Sequence, residues 1–165
     1  MNVFISYSVS DTELVRTVAD RIKSKATVNY WNESQQPGKE VWPTIFGWID
    51  AADLVLVLIT DRTIARALAV GQELGHAKKG NKQIIPLVAK NVPSAELGFL
   101  AGITYIPLDT ENPAGALQTL QAEVDKLDQE VRRQQYAMQM QEKQKKEGIV
   151  VLAGLALLVF LLSKD

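Results

Sequence analysis

The sequence contains no cysteine and only one histidine, His76, among its 165 residues. The lack of cysteine excludes disulfides, thiolate metal sites and a cysteine nucleophile, and it fits a reducing compartment. A Ser-His-Asp triad or a multi-histidine metal site would have to include His76, which has no metal-ligand spacing around it. The sequence therefore disfavours triad-based hydrolysis and histidine-bound metals.

Charge of one sign is not in excess either, because 18 Lys and Arg residues stand against 19 Asp and Glu residues. A chain without a basic field has no general attraction to a polyanion, so we expect no nucleic-acid partner. The length and the 47% hydrophobic content are sufficient for one globular core, and we expect no second folded domain.

Short apolar runs alternate with amphipathic stretches, which is the order of repeated β-α units around a parallel sheet. The runs predict five strands, over residues 3–6, 27–31, 54–60, 83–88 and 103–108. The run at 54–60 is apolar almost throughout, as expected for a central strand buried on both faces. We therefore predict an α/β fold with an open, doubly wound sheet.

The segments between these strands predict helices. Ser10-Asp11-Thr12-Glu13 has the pattern of a capping box, which predicts that a helix begins at Ser10 and ends near residue 24. Further helices are predicted over 42–51, 63–79 and 93–100. The ending Lys78-Lys79-Gly80 predicts a basic last turn and a glycine stop.

Ligands of doubly wound sheets bind outside the carboxyl ends of the strands, where the strand order reverses. This rule predicts that residues 6–11, 32–40 and 60–73 surround one crevice. The segment 32–40 is polar and contains Pro37-Gly38, so it is a candidate functional loop.

After Asn112-Pro113 the chain becomes rich in Gln, Glu, Lys and Arg. A heptad seam runs through it at Leu117, Leu120, Val124, Leu127, Val131, Gln134 and Met138. The first interpretation is that the start of this segment is the last helix of the domain and packs on the sheet. A coiled-coil contact beyond Leu127 is a second hypothesis, which the polar Gln134 weakens.

Residues 149–162 form an apolar run that is about 21 Å long as a helix, shorter than the roughly 30 Å hydrocarbon core of a membrane. Because the run is apolar on all sides, we favour a membrane anchor over a buried terminal helix. Lys143, Lys145 and Lys146 precede it, so the positive-inside rule places the domain in the cytoplasm. An interfacial or oligomer-buried helix is the alternative.

These patterns predict three parts: a domain over residues 1–125, a helical stalk over 126–147 that could form a coiled coil, and a transmembrane helix over 148–163. The predicted location is a membrane, held by a single-pass C-terminal anchor with the domain on the cytoplasmic side.

Five motifs in order resemble a TIR (Toll/interleukin receptor) domain of the prokaryotic type, over about residues 1–125. They are Val3-Phe4-Ile5-Ser6-Tyr7-Ser8 with Asp11, the Pro37-Gly38 loop, the run 54–60, Glu73-Leu74-Gly75-His76-Ala77, and Ile84-Ile85-Pro86-Leu87-Val88. The resemblance implies a flavodoxin-like five-stranded parallel sheet, which agrees with the fold predicted above from the pattern of strands and helices.

The resemblance also implies an activity, because many bacterial and plant TIR domains cleave NAD+ between nicotinamide and ribose, and some cyclise the product. The family's catalytic glutamate matches Glu73. Breaking this bond builds positive charge on the ribose, which a fixed carboxylate stabilises. The resemblance implies NAD+ as a substrate with no cofactor. The alternative is that Glu73 is an ordinary solvated helix residue.

Other residues match the family's pocket and assembly regions. Phe4, Ser6, Tyr7 and Asp11 match the first loop, which lines the nucleotide pocket, although Phe4 could be core and Asp11 a helix-start residue. The mobile-loop region, which contacts a neighbouring subunit in the family, matches Trp31, Pro37, Gly38 and Trp42. Trp31 and Lys39 are further substrate-binding candidates, Lys39 through a phosphate.

Two positions depart from the family pattern. Members often have tryptophan four residues before the glutamate and serine two residues before that tryptophan, where this chain has Ala69 and Ala67. Part of the expected pocket wall is therefore missing, and this could relax the pocket, leave the site to be completed by another subunit, or remove catalysis.

The leading hypothesis is a membrane-anchored NAD+ hydrolase or cyclase that homo-oligomerisation activates, acting in prokaryotic antiviral defence. One alternative is a non-catalytic adaptor that associates with other TIR domains. The other is a membrane-perturbing effector that clustering of the domains triggers.

Overall fold

The computed structural model describes the backbone of residues 1–31, 41–64 and 67–162. The side chains of residues 64, 67, 68, 99 and 146–162 are outside the description. The chain divides into two compact units, Met1–Leu127 and Asp128–Asp165.

The first unit contains a five-stranded parallel sheet, which confirms the predicted fold. The strands are β1 (Asn2–Ser6), β2 (Thr27–Tyr30), β3 (Leu54–Ile59), β4 (Gln83–Ala89) and β5 (Ile106–Leu108). Their spatial order is β2-β1-β3-β4-β5. The order reverses between β1 and β3, so the topological switch point of the sheet lies at the carboxyl ends of these two strands.

The described residues form five α-helices and two 3-10 helices. The α-helices are α1 (Thr12–Ile22), α2 (Val41–Ala51), α3 (Asp61–Ile64), α4 (Ala67–Lys79) and α5 (Ala114–Leu162). The 3-10 helices span Val9–Asp11 and Ser94–Leu100. The single helix predicted over 63–79 is therefore described as α3 and α4, with residues 65–66 outside the description.

The predicted capping box at Ser10 is wrong. Ser10 lies inside the 3-10 helix Val9–Asp11, and Asp11 is the residue that precedes α1. No side chain caps the start of α1. Asp11 does not cap the helix because its carboxylate accepts hydrogen bonds from Thr60 and Arg62, which follow the neighbouring strand β3.

The stop of α4 also differs from the prediction, because Asn81 and not Gly80 adopts the left-handed conformation, with φ of 51°. The N–H of Lys82 donates to the carbonyl of Ala77, and the N–H of Asn81 donates to the carbonyl of Lys78, at 3.0 Å each. This is a Schellman ending, in which asparagine takes the position that glycine usually occupies.

Helices cover both faces of the sheet. On one face, Val3 and Ile5 of β1 and alternate residues of β3 pack against α1 and the start of α5. On the other face, Phe4 and the remaining β3 residues pack against α2 and α4. Every residue of β3 is buried, which confirms the central strand that its continuous apolar sequence predicts.

The start of α5 packs on the sheet, as the first interpretation of the heptad seam predicts. Leu117, Leu120 and Val124 are buried in the same core cluster as β1 and α1. In the second unit, Tyr136, Met138 and Met140 are exposed, and Arg132 pairs with Asp128 at 2.9 Å.

The predicted membrane location is contradicted. Within the residues that the structure describes, no helix combines the length and the apolar character needed to cross a membrane. The physical reason is length, because the apolar run at 149–162 falls short of the about 20 residues that a spanning helix needs. The side chains of that run lie outside the description.

Asp109 organises the turn before α5. Its carboxylate accepts hydrogen bonds from the Lys90 ammonium at 2.9 Å and from the backbone N–H groups of Glu111 and Asn112 at 3.1 Å. These donors hold the pKa of Asp109 below its ordinary value, with the Lys90 hydrogen bond as the largest cause.

We expect Lys90→Met to raise the pKa of Asp109 towards its ordinary value, because the strongest donor is removed. A lowered folded-state pKa contributes stability that is present above the unfolded-state pKa and is lost as the pH falls through the folded-state pKa. Carboxyl-carbon NMR titration measures the shift, with Lys126→Met as the control because Lys126 pairs with Glu123 instead. An unchanged midpoint in Lys90→Met would contradict the assignment.

Candidate active site

A cavity of about 250 Å³ lies beside the carboxyl end of β1. β1 and the turn after it contribute Phe4, Ile5, Ser6, Tyr7 and Val9, the end of β2 contributes Trp31, α2 contributes Val41, Trp42 and Ile45, and α4 contributes Ala69 and Glu73. The structure therefore brings together six of the candidate residues that the sequence indicates: Phe4, Ser6, Tyr7, Trp31, Trp42 and Glu73.

The position of Glu73 follows from the packing of α4. Val70, Leu74 and Ala77 share one helix face and are buried against the sheet. Ala69 and Glu73 each lie one position earlier, at the edge of that face, and both are half-buried. Glu73 is therefore held by a rigid helix with its side chain at the cavity, partly open to solvent.

Tyr7 connects the ends of β1 and β2. Its hydroxyl donates a hydrogen bond to the backbone carbonyl of Trp31, and its ring meets Tyr30 edge-on at 5.9 Å. The carboxyl ends of adjacent parallel strands lie side by side, so this bond fixes the backbone at Trp31 next to the cavity.

Aromatic rings form much of the cavity wall and its support. Trp48 of α2 lies behind the cavity, with its ring 6.4 Å from Phe4 and 6.2 Å from Trp31. Trp42 contacts Phe46 at 5.6 Å and is 38% exposed. Phe4 is both core and wall, because it is buried and also lines the cavity.

Two groups of contacts hold α2 against α4. His76 Nε2 lies 2.8 Å from the Asp50 carboxylate, and the His76 ring stacks on Phe46 at 4.4 Å. Lys82 donates to the backbone carbonyls of Asp50 and Ala52 at the end of α2. These contacts set the distance between α2 and α4. Both helices also contribute residues that line the cavity.

Asp11 lies at a different place from the other candidates. It lines a separate cleft of about 640 Å³ with Thr60, Arg62 and residues near β4 and β5. Thr60 Oγ1 donates to the Asp11 carboxylate at 2.7 Å, and Arg62 Nη1 lies 3.3 Å from it. The carboxylate is buried and joins the turn after β1 to the turn after β3.

The loop candidates Pro37, Gly38 and Lys39 lie outside the described residues. Of the two departures from the family pattern, Ala69 lines the cavity, while the side chain of Ala67 is outside the description. Among the described side chains, no three His, Asp or Glu residues are grouped so that they could hold a metal ion.

Sequence reasoning did not find Val9, Val41, Ile45 and Trp48 as parts of the site or its support. Ile45 and Trp48 carry a signal, since they are apolar residues three positions apart in the helix predicted over 42–51, but that spacing indicates only burial. Val9 is the first residue of a 3-10 helix and Val41 is the first residue of α2. Apolar periodicity does not identify either of them as part of a site.

The first unit is an α/β domain with a five-stranded parallel sheet, and it places a carboxylate beside a cavity with aromatic walls. The profile of the TIR domain family matches residues 3–127. Because the match covers well over half of the chain, the protein belongs to the TIR domain family, as its motifs predict.

Solved structures share the fold. The TIR domains of the activated Roq1 resistosome, which directly recognises the pathogen effector XopQ, have a TM-score of 0.60 at 15% identity, covering 74% of this chain and 98% of theirs. A prokaryotic SEFIR domain has a TM-score of 0.57 at 20% identity, covering 74% and 97%. The CMP N-glycosidase BcmB of Clostridium botulinum has a TM-score of 0.56 at 19% identity, covering 74% and 99%.

At these identities the likeness shows the fold alone. The search of curated proteins finds no matching sequence.

Proposed function

We propose that this TIR domain cleaves the N-glycosidic bond between nicotinamide and ribose in NAD+, with Glu73 as the catalytic carboxylate. The observation that carries the proposal is that Glu73 lines one cavity with Ser6 and several aromatic side chains at the carboxyl end of β1. A cavity lined by apolar rings with a few polar groups is the usual form of a small-molecule site.

The chemistry needs one carboxylate. When the bond between the ribose carbon and the ring nitrogen breaks, its electron pair goes to the nitrogen and nicotinamide leaves as a neutral molecule. Positive charge then develops on the ribose, where the Glu73 carboxylate stabilises it. Water adds to the ribose carbon and loses a proton, giving ADP-ribose. Attack by a nucleophile of the same molecule instead of water would give a cyclic product.

The charge of the cavity supports a substrate with a cationic ring. Of the described residues that line it, Glu73 is the only one with a charged side chain. A carboxylate beside aromatic faces attracts a cationic ring, since both interact favourably with positive charge. The nicotinamide ring of NAD+ is cationic and leaves without protonation, so the site needs no second acid.

The size of the cavity indicates how a dinucleotide would bind. About 250 Å³ is enough for the nicotinamide-ribose part and too little for the whole of NAD+. The pyrophosphate and adenosine would then lie outside the cavity. Lys39 remains our candidate for a phosphate contact.

Other finer elements of the proposal concern assembly and biological role. Val41 and Trp42 are large apolar residues that are exposed at the start of α2. They support association with another TIR domain through this region, together with Pro37 and Gly38, in a homo-oligomer. The proposed role is prokaryotic antiviral defence, which rests on the resemblance of the sequence motifs to prokaryotic TIR domains.

One observation favours a non-catalytic adaptor as the second candidate. Ala69 lines the cavity at the position where family members often have tryptophan, so this wall offers less surface to a substrate. The exposed Trp42 would serve association equally well without catalysis.

The test is incubation of the full chain at several protein concentrations with NAD+, with chromatographic separation of the products. We expect nicotinamide and either ADP-ribose or a cyclic nucleotide, at a rate per molecule that rises with concentration because assembly raises the local concentration of domains. CMP is tested as a second substrate in the same assay, because BcmB is a CMP N-glycosidase. Absence of nicotinamide from an assembled sample would favour the adaptor.

A further inference from the structure

Ser6 has a buried hydroxyl without a partner. It is the last residue of β1, its exposed fraction is 2%, and its Oγ finds no hydrogen-bond partner among the described residues. The backbone of Ser6 pairs with Val57 of β3, which fixes the side chain at the wall of the cavity that contains Glu73.

A hydroxyl in this state is unfavourable in the free protein, because water has been removed from it and nothing replaces the lost hydrogen bond. Most buried polar side chains in native proteins are paired, so an unpaired one needs a physical explanation. A ligand that enters the cavity and supplies the missing partner is such an explanation.

The relative depth of two side chains suggests which part of a substrate meets Ser6. Ser6 is almost completely buried and lies beside the buried residues Phe4 and Ile5, whereas Glu73 is half-buried. A substrate whose ribose faces Glu73 therefore places its leaving base deeper, towards Ser6. The surrounding wall is apolar, so it suits a flat ring with one polar substituent.

We propose that the Ser6 hydroxyl hydrogen-bonds the carboxamide group of the departing nicotinamide. This inference rests on the proposed function and adds a specificity determinant to it. The only polar substituent of the pyridinium ring meets the only unpaired buried side-chain polar atom of the described residues. Ser6 is then a substrate-binding residue that selects a 3-carboxamide pyridinium over an unsubstituted ring.

The test compares Ser6→Ala with the wild type on NAD+ and on the analogue whose pyridine ring lacks the carboxamide. With NAD+ we expect Ser6→Ala to lower kcat/KM about tenfold, the loss of one hydrogen bond to a bound ligand. With the analogue we expect less than a twofold change, because the hydroxyl has no partner there. Equal losses on both substrates, or no loss on NAD+, would overturn the inference.

Thermal unfolding provides a readout that a merely structural serine would not give. Removing an unpaired hydroxyl eliminates its desolvation cost, so Ser6→Ala should unfold at the same temperature as the wild type or higher. Ser8→Ala is the matched control, because Ser8 is also buried but does not line the cavity. It should not change the ratio of the two kcat/KM values. A lower unfolding temperature of Ser6→Ala would count against the inference.

Failure of the proposed function is distinguishable from failure of this inference. A wild type that cleaves neither dinucleotide removes the enzymatic proposal, and binding of free nicotinamide then decides the role of Ser6. In an NMR titration we expect the Kd of nicotinamide to be about tenfold higher for Ser6→Ala than for the wild type. An equal Kd, or no binding to the wild type, would refute the assignment.

Discussion

Glu73→Gln is expected to lower the rate of nicotinamide release from NAD+ by about a hundredfold to a thousandfold. The substitution keeps the size and polarity of the side chain but removes the negative charge that faces the developing cation of the ribose. Loss of one preorganised electrostatic group at a reacting centre commonly has an effect of this size. The measurement is the single-turnover rate at saturating NAD+, which separates the chemical step from substrate binding.

The control for this prediction is Glu96→Gln. Glu96 is exposed and lies in the 3-10 helix Ser94–Leu100, away from the residues that line the cavity. This variant should release nicotinamide at the wild-type rate. Glu96→Gln should unfold at about the wild-type temperature because Glu96 is exposed, and the unfolding temperature of Glu73→Gln shows whether that variant is folded. A Glu73→Gln protein that is folded and still active within tenfold would show that the carboxylate is not catalytic.

Leu120→Ala is expected to lower the free energy of unfolding by about 2–5 kcal/mol. Leu120 is 0% exposed and packs with Leu117 and Val124 in the core cluster that includes β1 and α1. Truncation of a leucine in such a place removes buried apolar surface and leaves a cavity. Urea denaturation followed by tryptophan fluorescence measures the loss, because Trp31, Trp42 and Trp48 all belong to the first unit.

Met138→Ala is the matched comparison, because Met138 occupies the same heptad seam but is 62% exposed. Its substitution should change the free energy of unfolding by less than about 0.5 kcal/mol. Similar losses for both variants would mean that the seam is buried along its whole length, which would favour the coiled-coil hypothesis for the later part of the helix.

The heptad seam illustrates what periodicity can predict. Its spacing indicates one apolar helix face, and that face exists in the structure between Leu117 and Val124. Spacing does not identify the partner that covers the face, because a sheet and a second helix both require the same apolar stripe. Only the position of α5 beside β1 and α1 shows that the sheet covers its first part.

Local signals at helix ends were less decisive than the apolar pattern. Ser10-Asp11-Thr12-Glu13 satisfies the capping-box sequence, yet Asp11 pairs with Thr60 and Arg62, which are 49 and 51 residues away along the chain. Gly80 and Asn81 can both end a helix, and the tertiary structure places the left-handed conformation at Asn81. At the start of α1, long-range contacts of Asp11 overrode the local capping preference. At the end of α4, the left-handed residue lies one position later than the sequence predicts.

The last strand is shorter than its sequence predicts because a local turn precedes it. The expected strand covers 103–108, but the chain turns at Gly102, which has a φ of 79°, and Ile103 donates to the carbonyl of Leu100. Pairing with β4 begins only at Ile106. Pro107 lies in this strand, and the strand is at the edge of the sheet, as the missing N–H of proline predicts.

The sequence by itself determined the alternation of strands and helices, the central place of β3 and the TIR motifs, because apolar periodicity and short motifs are local properties of the chain. Tertiary structure alone decided which candidate residues share a cavity. Ser6 and Glu73 line one cavity because β1 lies next to β3 in the sheet and α4 packs on β3, while Asp11, five residues after Ser6, lines a different cleft. It also left the Ser6 hydroxyl without a hydrogen-bond partner among the described residues, a property that depends on every neighbour in space and that no local pattern encodes.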